Sequence, residues 1–175
     1  MIKKATLLIA AVILFVGCNT IRVSQDYAVG TDFSTYKTYG YFKQGIDDAD
    51  INDLDKKRIL KAIDKHMLAN GFIKSQTPDL MISIFTDSQQ RVDVFNNWGW
   101  NGAFGWGGFG WGGRVNNVST VNEGILHIDL IDAQKKELIW QGVATAPMYT
   151  NNPVDKTERL NKIVQEILMQ YPPKK

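Results

Sequence analysis

The residues of this chain that could carry chemistry are few, and the first candidates are His127 and Asp129. They alternate with apolar residues over 125–130, so they are predicted to share one face of a β-strand, where each could orient the other. A zinc site needs three or four ligands, and the only other histidine is His66. A serine hydrolase would need a nucleophile on a strained turn, and the G-x-S-x-G pattern is absent. We interpret the pair as polar residues of an exposed sheet face, and we expect no metal and no cofactor.

An acidic stretch offers a second candidate, because Asp48, Asp50 and Asn52 have the alternate spacing of a calcium-binding EF-hand loop. The remainder of that loop does not fit. Asp53 stands where glycine makes the sharp turn, and Ile59 stands where a glutamate binds the ion with both oxygens. Carboxylates are also favoured ahead of a helix by the helix dipole. The stretch is therefore predicted to be a solvated helix entrance.

A third candidate is the segment 105–110, Gly-Trp-Gly-Gly-Phe-Gly, which formally matches the dinucleotide fingerprint G-x-G-x-x-G. The fingerprint works because a strand leads into it and a helix begins at it, so that backbone N–H groups point at a pyrophosphate. Here a strand-like segment follows and no helix begins. We therefore do not predict a nucleotide site.

The stretch from 97 to 113 is the best candidate for binding, because it combines aromatic side chains with eight glycines. Its aromatic residues are Trp98, Trp100, Phe104, Trp106, Phe109 and Trp111. They could lie at a membrane interface, which tryptophan favours, or form a platform for a glycan or a partner protein. They could also belong to a long hairpin connection whose rings fold back on the sheet, since ordering so many glycines is entropically costly.

The start of the chain has the three parts of a secretory signal. Lys3 and Lys4 give a positive tip, an apolar run follows from residue 5, and Gly17 is the small residue before the cut. The run is shorter than the roughly 20 residues that a membrane-spanning helix needs. The sole cysteine, Cys18, follows directly, and residues 15–18 resemble a lipobox, with Phe15 and Val16 departing from its usual residues.

This layout divides the chain into three parts. Residues 1–17 are expected to be the signal peptide, residues 18–30 the lipidated N-terminus and tether, and residues 31–175 a single domain. Removing the signal peptide takes away two lysines, so that the 20 basic residues fall to 18 and balance the 18 acidic ones. A neutral protein has no electrostatic footprint for nucleic acid, so we expect no nucleic-acid partner.

The hydrophobic pattern predicts the order of the elements. We expect strands over 33–42, 80–86 with an extension through Val94, 114–121, 125–130 and 138–146, with a polar loop over 45–55 and a turn over 132–136. Helices are expected over 53–70 and after Asn152 and Pro153, which suit the cap and the first helical position. The order indicates an α+β fold, a two-layer sandwich with a mainly antiparallel sheet and two helices on one face.

Several segments together are similar to a known family. They are Asp32-Phe33, residues 36–39 (Tyr-Lys-Thr-Tyr), 70–72 (Asn-Gly-Phe), 78–80 (Pro-Asp-Leu), 124–132 (Gly-Ile-Leu-His-Ile-Asp-Leu-Ile-Asp) and 138–142 (Leu-Ile-Trp-Gln-Gly), with the Gly/Trp-rich stretch between them. In order and spacing they resemble the domain-of-unknown-function family 4136 of Gram-negative envelope lipoproteins. The resemblance implies an envelope location, a compact α+β fold and a lipid anchor. It implies no activity and no catalytic residues.

We therefore expect a lipid-anchored lipoprotein with a non-enzymatic binding or structural role, in which an envelope protein or a glycan is a candidate partner. Asn19 follows the cysteine in place of the aspartate associated with inner-membrane retention, and the tether has no acidic cluster suggesting surface export. The outer membrane, facing the periplasm, is thus the expected location. The alternative is a hydrolase acting on envelope polymers, which would need a cleft with a carboxylate pair or an activated nucleophile.

Overall fold

The computed structural model describes residues 21–94, 118–147 and 152–173. Within these ranges the chain forms six β-strands, three α-helices and a short 3-10 turn at Phe33–Thr35. The strands are β1 (Arg22–Tyr27), β2 (Thr38–Tyr41), β3 (Ile73–Lys74), β4 (Leu80–Val94), β5 (Val118–Asp132) and β6 (Glu137–Pro147). The helices are α1 (Lys43–Asp47), α2 (Asp53–Ala69) and α3 (Pro153–Leu168). None of the helices in the described ranges is long and apolar enough to cross a membrane.

The six strands form one mixed sheet in the order β1-β6-β5-β4-β2-β3. The pairs β1–β6, β6–β5 and β5–β4 are antiparallel, whereas β2 runs parallel to both β3 and β4. The prediction of a mainly antiparallel sheet was therefore wrong. The cause is α2, which returns the chain to the end of the sheet where β2 began, so that β3 and β4 run in the same direction as β2. The mixed α/β composition itself was predicted correctly.

The first predicted strand, over 33–42, is correct only in its second half. Asp32 accepts a hydrogen bond from the backbone N–H of Ser34 at 3.1 Å and caps the 3-10 turn, so the extended chain begins only at Thr38. Phe33 lies edge-on to Tyr171, with ring centroids 5.6 Å apart. Aromatic residues favour strands, but Phe33 packs against the C-terminal segment instead.

The predicted loop over 45–55 starts inside the short helix α1, which the sequence analysis missed. Ile46 of α1 is buried, and Gly45 lies so close to β4 that an added Cβ would fall 2.1 Å from the Ser83 hydroxyl. After this helix Asn52 caps α2, because its side chain accepts a hydrogen bond from the Asp55 N–H at 3.0 Å. The two longer helices, α2 and α3, begin where they were predicted.

The core forms where the helices meet the sheet. Alternate residues of β4 and β5 are buried, and apolar residues of α2 and α3 join them in one cluster. The largest fully buried side chains include Tyr39, Ile63, Ile128, Trp140 and Ile167. Burying such side chains in contact with one another is the main favourable contribution to folding.

Candidate functional site

The residues predicted to bind lie outside the part of the chain that the structure describes. They are Cys18, Trp98, Trp100, Phe104, Trp106, Phe109 and Trp111. The formal G-x-G-x-x-G match belongs to the same undescribed stretch. The structure does place the elements on either side of these residues: β4 and β5 flank the Gly/Trp-rich stretch, and β1 follows Cys18.

Strands β4 and β5 form a two-stranded arm that continues beyond the six-stranded part of the sheet. They stay paired from Leu80–Asp132 to Val94–Val118, but β6 pairs with β5 only as far as Glu123. Residues 90–94 and 118–122 therefore extend past the end of β6. The stretch that carries the aromatic residues connects the two strands at the end of this arm.

Strand β1 begins at the end of the sheet from which the arm extends. Arg22 pairs with Thr145, Thr145 pairs with Ile125, and Ile125 pairs with Asp87, so these four residues form one row across the sheet. Strands β1 and β5 both run antiparallel to β6 and so point the same way. The start of β1 therefore lies at the end of the sheet from which the arm extends.

This row allows the length of the arm to be compared with the length of the four residues that join Cys18 to β1. Val118 lies seven residues beyond Ile125, which gives about 24 Å at the strand rise of about 3.4 Å per residue. Cys18 stands four residues before Arg22, so a fully extended chain carries it at most about 14 Å from the row. The end of the arm thus reaches as far from the sheet as Cys18 can, and further.

His127 and Asp129, the predicted sheet-face pair, each contact a neighbouring strand. The His127 ring lies 5.4 Å from the Phe85 ring, and the Asp129 carboxylate accepts a hydrogen bond from the Gln141 side chain at 2.8 Å. Both side chains are partly exposed. Each residue of the pair thus has a cross-strand contact on a partly exposed face of the sheet.

A cleft of about 440 Å³ lies at the same end of the sheet, between the buried sheet face and the first turns of α2 and α3. Its volume is within the range of about 300–1,000 Å³ that small-molecule sites occupy. Its apolar lining comes from α2, α3, β5, β6 and the loop before α2, and includes Ile51, Ile59, Ile125, Leu126, Ala144, Ala146, Pro147, Leu160 and Ile163. The cleft could therefore hold an apolar group of moderate size.

One side of this cleft is formed by the Asp55 carboxylate and its donors. Lys156 lies 2.6 Å and Arg58 lies 2.7 Å from its oxygens, and the Asn52 amide donates to it at 2.7 Å. Burial raises the pKa of Asp55, but hydrogen bonds from Lys156, Asn52 and Arg58 outweigh burial and bring the pKa below its usual range. Asp55 is thus an ionised residue that joins the first turns of α2 and α3.

Two further features concern the polar groups of the cleft. The Thr86 hydroxyl oxygen is buried and has no hydrogen-bond partner within the described residues. Helices α2 and α3 run side by side in the same direction, because Arg58 contacts Thr157 near their starts and His66 contacts the Leu168 carbonyl near their ends. The positive ends of both helix dipoles therefore lie at the cleft.

No local sequence pattern marks this cleft. Its lining residues come from both long helices and three strands. Most of them are apolar, and their sequence pattern does not distinguish them from residues of the hydrophobic core. The one available signal was Lys156, a cation in the first turn of α3, where the helix dipole disfavours positive charge. Its role follows from Asp55, which is 101 residues away in sequence and becomes its neighbour only in the fold.

Solved structures show a similar fold. A PDZ domain protein from Parabacteroides distasonis aligns with a TM-score of 0.54 and 17% identity over 96% of this chain, and the chain spans 40% of that protein. Two crystal forms of a PelC dodecamer from Paraburkholderia phytofirmans each align with a TM-score of 0.43, at 9% and 8% identity, covering 85% of this chain and 95% of PelC. The first likeness concerns the fold alone, and the weaker PelC alignments carry no argument.

The sequence comparisons give a family and no curated relative. No curated protein matches the chain. The model of a domain of unknown function, DUF4136, matches residues 23–173, which is most of the chain. The expected resemblance is thereby confirmed at the level of the domain, and the chain belongs to the DUF4136 family.

Proposed function

We propose that this protein is a lipid-anchored, non-enzymatic lipoprotein of the cell envelope, attached through Cys18 to the periplasmic face of the outer membrane. Its Gly/Trp-rich stretch contacts the surface of that membrane. The observation that supports the proposal is the register of the sheet, in which the arm and the start of β1 lie at the same end.

The comparison of lengths favours the membrane over a distant partner. If Cys18 is held in the bilayer, the sheet stands at most about 14 Å from the membrane surface along the direction of β1. The arm extends about 24 Å in that direction, so its end meets the membrane surface before residues 18–21 are fully extended. Tryptophan favours the interface between water and hydrocarbon, which is where the arm would deliver Trp98, Trp100, Trp106 and Trp111.

The partners of two buried carboxylates, Asp55 and Asp132, support a non-enzymatic role. Asp55 is held by Lys156 and Arg58, and Asp132 accepts hydrogen bonds from the Tyr36 hydroxyl and from two backbone N–H groups. Both pKa values lie below the usual range for a carboxyl group. A general acid needs a raised pKa, whereas these carboxylates stabilise local structure.

We also propose that the helices and the sheet form the two-layer α+β sandwich expected from the sequence. The alternation of buried and exposed residues along β4 and β5 supports this arrangement, because only one face of these strands joins the apolar cluster with α2 and α3. A third layer on the other face would bury both sets of residues.

The lipid anchor and the membrane location are tested by metabolic labelling of the native host with an alkyne-bearing palmitate. The intact chain should incorporate the label and sediment with outer membranes, and Cys18→Ser should lose the label and become soluble in the periplasm. Trp140→Phe serves as a control, because it changes a buried core residue and keeps Cys18. Label that persists in Cys18→Ser would reject the anchor.

The contact between the Gly/Trp-rich stretch and the membrane is tested by crosslinking in the host followed by mass spectrometry. The intact protein is compared with a variant in which Trp98, Trp100, Trp106 and Trp111 are changed to Ser. For membrane contact, we expect the crosslinked proteins to be the same for both chains, while crosslinks from the stretch to photoactivatable lipid are lost in the variant. Loss of one specific protein or glycan crosslink would replace the membrane with that partner.

A further inference from the structure

The charged residues that line the cleft between the sheet and the long helices do not favour a charged ligand. Lys156 binds the Asp55 carboxylate at 2.6 Å, and Arg159 donates a hydrogen bond to the Pro147 carbonyl at 2.6 Å. The other acids of the lining are exposed to water, namely Asp50 and Asp87. Burying a charge without a counter-charge of its own is costly, so a ligand that enters the cleft should be neutral and apolar.

Apolar surface in the cleft lacks contacts that close packing would supply. Ile59 and Ile163 line it from the helices, and Ala144 and Ala146 line it from β6. Protein interiors are close-packed, so an opening of about 440 Å³ among such residues leaves apolar surface without partner atoms. An apolar chain would supply these contacts, since the burial of methylene groups is favourable.

The start of β1 lies directly beside this cleft. Val23 pairs with Ala144, so β1 runs about 4.8 Å from a strand that forms the cleft wall. Ile21 and Val23 are partly buried and pack against the same hydrophobic core as the helices. The chain therefore enters the sheet next to the cleft.

This position brings Cys18 within reach of the cleft. Cys18 stands three residues before Ile21, so their Cα atoms are at most about 11 Å apart. A chain attached to Cys18 would be a tethered ligand, and a short tether gives an effective concentration on the order of millimolar. A free lipid would instead have to be captured from solution. The geometry thus favours an occupant that the protein itself carries.

From these observations we infer that the cleft binds an acyl chain carried by Cys18 of the same molecule. The inference rests on the proposed acylation of Cys18, and it adds an intramolecular site for the lipid. The neutral chain lies against Ile59, Ala144 and Ile163. A bilayer is an equally apolar environment, so the cleft holds the chain while the protein is in water and releases it to the membrane.

The test attaches the chain chemically, so that its outcome does not depend on lipidation in the host. All the described elements lie within residues 21–173, so a protein that begins at Cys18 contains them. Its sole cysteine is alkylated with a dodecyl group that ends in a diazirine, and the protein is irradiated in dilute buffer without detergent. We expect crosslinks to peptides that contain residues 140–147 or 153–163, with a yield independent of protein concentration.

Crosslinks spread over the whole surface, or a yield that rises with protein concentration, would overturn the inference. The melting temperature gives a second readout. The dodecyl adduct should melt several degrees above the adduct made with a methyl group, because binding to the folded state stabilises it. Failure of palmitate labelling in the host would reject the anchor, whereas failure of these crosslinks would reject only the intramolecular site.

Matched variants separate the cleft from the rest of the surface. Ala146→Leu should fill part of the cleft and lose most of the crosslinks and the gain in Tm. Combining Cys18→Ser with Lys135→Cys moves the dodecyl group to the β5–β6 turn, at the other end of β5, and should abolish both effects. If Ala146→Leu does not fold, Leu160→Asn makes a partly exposed part of the lining polar and replaces it. Unchanged crosslinks in Leu160→Asn would contradict the site.

Discussion

Thr38 and Asp79 exchange two hydrogen bonds between adjacent strands. The Thr38 hydroxyl donates to the Asp79 carboxylate at 2.8 Å and accepts from the Asp79 backbone N–H at 2.8 Å. The same carboxylate oxygen accepts the backbone N–H groups of Lys37 and Thr38, at 3.0 and 2.9 Å. Two of the segments that carry the family resemblance, 36–39 and 78–80, therefore join the start of β2 to the start of β4.

Replacing Asp79 with Asn should lower the free energy of unfolding at pH 7 by about 1–3 kcal/mol, because hydrogen bonds to a charged group are weakened. The backbone N–H of Lys37 and the donors of Thr38 hold the pKa of Asp79 below its usual range. A carboxyl with a depressed folded-state pKa stabilises the fold above its unfolded pKa, near 3.9, and this stability is lost as the pH falls through the folded pKa.

Urea denaturation between pH 7 and pH 2 checks this prediction. The stability of Asp79→Asn should fall less steeply below about pH 4 than that of the original chain. Asp47→Asn, at an exposed position on α1, is the control. An Asp79→Asn protein with unchanged stability at pH 7 would show that the two segments are joined by other contacts.

The tight packing of Gly142 gives a second prediction. A Cβ at this position would lie 2.4 Å from Ile167 Cγ2 and 2.4 Å from the Trp140 ring, so Gly142→Ala forces α3 or the indole to move. We expect a loss of about 1–3 kcal/mol in unfolding free energy, the usual cost of overpacking a core.

A double-mutant cycle with Ile167→Ala identifies the cause. If the clash with Ile167 contributes, the loss for the double variant should be smaller than the sum of the two single losses, because the second change removes one of the clashing groups. Strictly additive losses would assign the cost of Gly142→Ala to Trp140 alone.

The turn between β5 and β6 contains a residue whose replacement should stabilise the fold. Lys136 has a φ of 59°, in the left-handed region that asparagine tolerates better than lysine. Lys136→Asn should therefore stabilise the fold by about 0.5 kcal/mol and raise Tm slightly. Lys135→Asn, at the preceding position of the turn, should give no such gain in calorimetry. A lower Tm for Lys136→Asn would mean that the lysine side chain makes a stabilising contact.

His66 gives a prediction on pH. Burial lowers the pKa of His66, and the hydrogen bond with the Leu168 backbone opposes burial only in part. A histidine with a lowered folded-state pKa contributes stability above its unfolded pKa of about 6.5, and this contribution is lost as the pH falls toward the folded pKa. Unfolding free energy should therefore decrease on acidification below about pH 6.5. His66→Gln should flatten this decrease and His127→Gln should retain it. If the unfolding free energy of His66→Gln decreases as steeply with falling pH as that of the original chain, other groups cause the decrease.

Local signals were sufficient to predict the regular elements whose boundaries are marked by caps and turns. Asn152 accepts a hydrogen bond from its own helix, as its position predicted. Asp132 holds the β5–β6 turn through the N–H groups of Gln134 and Lys135. These contacts span at most a few residues, so the sequence displays both partners together.

Features that depend on distant residues were not predictable in this way. The parallel pairing of β2 depends on the path that α2 gives the chain, and the 3-10 turn at Phe33 is packed against Tyr171. The cleft forms because Asp55 and Lys156 meet across 101 residues. Each contact becomes visible only when the topology is known, since neither partner has a local pattern that requires the other.

The most direct test of the proposed function is tryptophan quenching by brominated lipid, with the full lipidated chain reconstituted in vesicles. We predict strong quenching by lipids that carry bromine near the head group. The quadruple Trp→Ser variant at positions 98, 100, 106 and 111 retains only Trp140, which is buried, and its fluorescence should be nearly unaffected. Equal, weak quenching of both proteins would contradict the account, because the aromatic stretch would then not contact the membrane that holds the anchor.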